Sequence, residues 1–94
     1  LAQEQAFALG RLGRALEAAL AALFAFDAAR DPAMALTPEE RRARTTLVAE
    51  AGTALWYFTV QREAVGLRDS AQVLRDYRVP AEVRDRMGAF PARR

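Results

Sequence analysis

The chain has no Cys, His, Lys, Asn or Ile, and its single Ser is Ser70. Each absence removes a chemistry. Without Cys there is no disulfide framework, no thiolate nucleophile and no Cys-ligated zinc. Without His, the commonest metal ligand and the usual general base near neutral pH are both gone. Without Lys there is no Schiff-base amine and no phosphate-loop lysine. Triads, zinc-dependent hydrolysis and phosphate-loop nucleotide binding thus have no candidates. An enzyme would have to work with Asp, Glu, Arg, Tyr, Thr and Ser70, so the expectation is a non-enzymatic protein without cofactor or metal. Long hydrophobic runs are missing too. Ala18–Phe26 and Ala51–Val60 each reach about half of the ~20 residues that a membrane span needs. No membrane partner is expected, and the expected compartment is the cytoplasm.

What remains is 94 residues, 52% apolar and 28% charged, a composition that fits one small folded domain and excludes disorder. Fourteen Arg stand against 12 acids, leaving a net charge of +2. The high isoelectric point, 9.9, arises because nothing titrates between the carboxylates and Tyr or Arg. So small an excess is weak support for a nucleic-acid partner, which calls for a concentrated basic face. Heavy use of Ala and Arg beside absent Lys, Ile and Asn is the bias of a GC-rich, bacterial genome. No signal-peptide pattern is visible. The chain starts at Leu1 rather than Met, so further residues are expected before it.

Residues 1–30 read as one long helix: Ala dominates, and neither Pro nor β-branched residues interrupt. Leu9, Leu12, Leu16, Leu23 and Phe26, with Ala19 in the remaining slot, recur at alternating steps of three and four, the seam of close helix pairing. Gly10 and Gly13 weaken such a helix by about 1 kcal/mol each, which suggests a close approach or a bend. Asp31-Pro32 ends the pattern. Thr37-Pro38-Glu39-Glu40 then announces a second helix: Thr37 caps, Pro38 fits the first turn, and Glu40 closes a capping box. That helix should run over 38–65 and stop at Gly66. A connection this short makes the two helices antiparallel neighbours. Two short helices are expected over 70–77, from Asp69-Ser70-Ala71-Gln72, and over 80–87, ending at Met87-Gly88. Phe90-Pro91 and the residues to Arg94 read as a tail. No strand pattern appears. The fold class is all-α, one domain over 1–94: a long antiparallel hairpin plus two short C-terminal helices.

Cover is the difficulty. Ala54-Leu55-Trp56-Tyr57-Phe58-Thr59-Val60 spans nearly two turns and is apolar on every side, which calls for burial on every side. Two helices of about 28–30 residues are each roughly 42–45 Å long, and two short helices cannot enclose both. A second copy completing a bundle is the expected remedy, against the alternative of a compact monomeric bundle. Phe24, Leu55, Trp56 and Phe58 are the expected interaction residues.

Arg62, Glu63, Arg68 and Asp69 surround the Gly66 break as a polar cluster, either binding an anion or partner or, as is commoner, tying a helix end to its turn. Arg41, Arg42 and Arg44 form a basic group that can contact phosphates, or can pair Glu40 with Arg44 and Glu39 with Arg42 along a solvated face. The segment from Ser70 to Gly88 invites comparison with a helix-turn-helix, adding charge through Arg75, Arg78, Arg84 and Arg86. Its turn lacks Gly, its second helix is very short, and its one amide, Gln72, lies on the first helix. Tyr77 is expected to use its hydroxyl as a cap.

Arg11-Leu12-Gly13-Arg14, Trp56, Gln61-Arg62-Glu63, Gly66-Leu67-Arg68-Asp69, Tyr77, Val79-Pro80 and Met87-Gly88 together resemble a family of small uncharacterised helical proteins, seen mainly in alphaproteobacteria and classed as a domain of unknown function. The resemblance covers most of the chain. It implies a standalone protein and carries over no catalytic or binding residue. The resulting expectation is a homodimeric interaction or assembly module; the alternative is a small nucleic-acid-binding regulator using the short-helix pair.

Overall fold

Helix formers fill residues 2–28, and in the computed structural model they form α1 (Ala2–Ala28). The structure describes residues 2–87. α1 ends at the turn that precedes Asp31-Pro32. There the Asp31 carboxylate accepts from the Ala33 amide at 2.9 Å, and the Arg30 guanidinium donates to the Met34 carbonyl. α2 (Pro38–Ala64) starts on the full capping box: the Glu40 amide donates to Thr37 Oγ1 at 3.1 Å, and the Thr37 amide to Glu40 Oε1 at 2.9 Å. It stops as expected at Gly66, whose φ of 92° lets the Leu67 amide reach back to the Arg62 carbonyl at 2.8 Å. α3 (Ser70–Asp76) and α4 (Ala81–Arg86) follow, so four helices and no strand make up the described residues. The Gly88 stop and the tail through Arg94 lie outside them.

α1 and α2 pair antiparallel. Leu16, Leu20 and Leu23 of α1 bury against Val48, Ala51, Leu55 and Phe58 of α2, and Val73 of α3 and Val83 of α4 close the core. Leu9, Leu12 and Ala19 are only partly buried beside them. The inward seam of α1 thus runs through Gly13, Leu16, Leu20 and Leu23, sharing Leu16 and Leu23 with the expected one and burying Leu20 where Ala19 was expected. The short helices pack over the hairpin, α4 advancing along α2 from Arg44, beside Glu82, to Gly52, beside Arg86. α3 brings Tyr77 edge-on to Phe58, ring centroids 5.5 Å apart, over Gly13 of α1. α4 crosses α2 at Gly52, where Arg86 lies against the helix backbone. Glycine at 13 and 52 thus marks two close approaches rather than bends. The resulting body is elongated, 49 × 31 × 20 Å.

Between α3 and α4 the chain turns through Arg78, whose φ is 55°. The Arg78 amide donates to Arg75 and the Val79 amide to Leu74, the same pair of bonds that Gly66 makes possible after α2. A residue with a Cβ holds the left-handed position here.

Candidate interaction surface

Arg44 is the polar centre of the fold. It lies in phase with Val48, Ala51 and Leu55, so α2 aims it inward, and its side chain is 23% exposed. Its Nε and Nη2 donate to the two oxygens of Asp27 at 2.8 and 2.9 Å, while Nη1 and Nη2 donate to those of Glu82, both at 2.8 Å. One guanidinium thus ties the end of α1 and the start of α4 to α2 through two bidentate pairs. Hydrogen bonding to Arg44 holds both carboxyls below the usual carboxylate range, against the opposing pull of burial. The same bonds, to Asp27 first and then Glu82, raise Arg44 further above its ordinary value. This corrects the pairing of Glu40 with Arg44 along one helix face, because Glu40 is taken by the Thr37 cap. The in-phase position of Arg44 was the available signal.

The expected polar cluster does not form a side-chain network. Among the described residues, no hydrogen bond or ion pair joins the side chains of Arg62, Glu63, Arg68 and Asp69 to one another. Their roles are separate. Arg62 stacks on the Phe58 ring at 5.8 Å and lends its carbonyl to the Leu67 amide; the Glu63 carbonyl accepts from Gly66; Arg68 accepts from Ser70. Asp69 caps α3 by accepting from the Gln72 amide at 3.2 Å and stands 4.0 Å from Arg75.

Of the expected interaction residues, Leu55 and Phe58 turn into the chain's own core, whereas Phe24 and Trp56 lie at the surface. The apolar run of α2 therefore splits. Trp56, Tyr57 and Val60 remain exposed, with Leu67 just beyond the turn. α1 leaves Phe7 65% and Phe24 42% exposed, and the connection leaves Met34 so. Two adjoining shallow grooves, of about 390 and 330 Å³, run beside α1 and meet at Glu17 and Tyr77. The first passes Gly10, Gly13 and Arg14, the second Ala21, Phe24 and Arg78. Tyr77 thus packs over a glycine and between grooves.

The C-terminal pair is compact, with seven residues in α3 and six in α4. Arg84 stands 3.5 Å from Asp85, Arg75 is the ion-pair partner of Asp69, and Arg86 is half-buried against Gly52. Among the described residues no three Asp or Glu gather as a metal site would require, and no helix is long and apolar enough to cross a membrane.

These features define a small all-α hairpin protein whose strongest polar contacts hold the fold together and whose apolar side chains crowd its surface. The chain belongs to a family of unknown function (DUF6665), whose family model matches residues 1–94. No curated protein and no solved structure matches it.

Proposed function

We propose that this protein is a non-enzymatic, homodimeric interaction or assembly module of the bacterial cytoplasm, its first partner a second copy of itself. The observation behind this reading is the number of large apolar side chains left exposed on a chain this small, Phe7, Phe24, Trp56, Tyr57 and Val60 among them. Apolar surface of that kind marks association sites when it is contiguous. The chemistry points the same way. The best-formed polar constellation, Asp27–Arg44–Glu82, is a mutually satisfied tie between helices, with no spare base or nucleophile. The Arg- and Ala-rich composition fits a bacterial source, and further protein partners would bind the assembled dimer.

Sedimentation equilibrium of the full chain at micromolar concentration tests the reading. A mass of twice the 10.4 kDa of one chain is the expected result, and a mass near 10.4 kDa would overturn it. The alternative, nucleic-acid binding through Arg75, Arg78, Arg84 and Arg86, has less behind it. A helix of six residues is short for groove reading, and Asp69 and Asp85 offset two of the arginines. A salt-titrated gel shift with random duplex decides it: a shift that fades steeply with salt supports that regulator, and none at low salt removes it.

A further inference from the structure

We infer that α1 carries a second, outward seam, and that this seam pairs antiparallel with the same seam of a second copy of the chain. The inference rests on the dimer reading above and adds the surface, the orientation and the register. The seam consists of Phe7, Gly10, Arg14, Glu17, Ala21 and Phe24, spaced by three, four, three, four and three residues. That alternation is the spacing of a coiled-coil interface. At about 100° per residue, it lies roughly 110° around the helix from the buried seam of Gly13, Leu16, Leu20 and Leu23. Accordingly Gly10 is half-buried and the other five are exposed. The two grooves that meet at Glu17 run along its edge.

Charge complementarity names the occupant. The seam holds two charges, Arg14 and Glu17, of opposite sign and on either side of its midpoint. Place a two-fold axis between Ala15 and Leu16 and run the second helix antiparallel. Arg14 then faces Glu17 of the second copy, and Glu17 faces its Arg14. In that register Phe7 meets Phe24 at both ends, and Gly10 meets Ala21, small against small, once the Arg14 guanidinium that lies over Gly10 swings to the facing Glu17. This is the self-complementarity that an isologous interface requires. A parallel pair would set Arg14 against Arg14 and Glu17 against Glu17, which repels. Among the described residues neither Arg14 nor Glu17 has an ion-pair partner within its own chain, so both charges are available. The contact spans about 26 Å between the phenylalanines.

The test exchanges the charges in the full-length chain. Arg14→Glu puts Glu against Glu in the homodimer, and Glu17→Arg puts Arg against Arg; each is expected to weaken dimerisation at least about tenfold. Both sites are exposed, and helical circular dichroism checks that each variant folds. Mixing the two variants restores opposite charges at both contacts, so the mixture, and the double variant Arg14→Glu/Glu17→Arg, should dimerise like the natural chain. Natural chains that dimerise while neither reversal matters would overturn this seam and leave the dimer reading standing, with the Trp56 face to carry it. Weakened variants that the mixture fails to restore would overturn the antiparallel register. A natural chain that stays monomeric at 100 μM would overturn both.

Discussion

Arg86 lies across Gly52 so closely that a Cβ on Gly52 would stand 3.0 Å from the Arg86 Cβ and 3.2 Å from its carbonyl carbon. Backbone cannot yield as a side-chain tip can, so α4 approaches α2 where glycine stands. Gly52→Ala gains helix propensity of about 1 kcal/mol but forces α4 outward at a cost of about 1–3 kcal/mol. A net loss of about 1 kcal/mol is expected, lowering the Tm by roughly 4–8 °C in thermal melts at fixed protein concentration. A Tm that rises would show that α4 does not pack there.

The Asp27–Arg44–Glu82 tie predicts an acid dependence. Both carboxyls are held below their ordinary values in the fold, so they bind protons more readily when unfolded. Their contribution is present above the unfolded carboxylate range and is lost as pH falls through the folded values, from about pH 4.5 downward. Arg44→Met keeps the apolar stem and removes both pairs. Because the carboxylates are 43% and 47% exposed, the expected loss at pH 7 is about 1 kcal/mol rather than the sum of two buried bonds. Urea titrations at pH 7 and pH 2.5 check this: the difference between variant and natural chain should shrink at the lower pH. An equal difference at both would contradict it.

Arg78 occupies a left-handed position that glycine fills at the end of α2. Relief of that conformation outweighs the added freedom of the unfolded chain, so Arg78→Gly is expected to stabilise by about 0.5–1 kcal/mol. A Tm increase of a few degrees is the readout. A decrease would mean that the Arg78 side chain contributes more than its backbone costs.

Much of this fold is legible in the chain because local rules and tertiary packing agree. Thr37, Pro38 and Glu40 set the start of α2, Gly66 its end, and Leu16 and Leu23 two of the core positions of α1, with Leu20 rather than Ala19 buried between them. The less legible part depends on pairs far apart in sequence. Arg44 pairs across 17 and 38 positions with Asp27 and Glu82, which no local pattern shows; the capping box that engages Glu40 only excludes the nearer partner. The role of Gly52 requires knowing that Arg86 returns to it. The stretch Ala54–Val60 indicated that cover would be short, but not which side chains would stay outside. Leu55 and Phe58 went inward and Trp56 stayed exposed, an outcome set by the register of α1 against α2 rather than by hydrophobicity.

Disulfide trapping on the naturally cysteine-free chain tests most directly whether one α1 covers another. Arg14→Cys and Glu17→Cys chains, mixed at micromolar concentration under mild oxidation, should give a covalent dimer faster and in higher yield than either variant alone. The antiparallel register sets residue 14 opposite residue 17 and offsets identical positions by about 4.5 Å along the axis. Cross-linking no greater in the mixture than in the single variants would contradict that pairing.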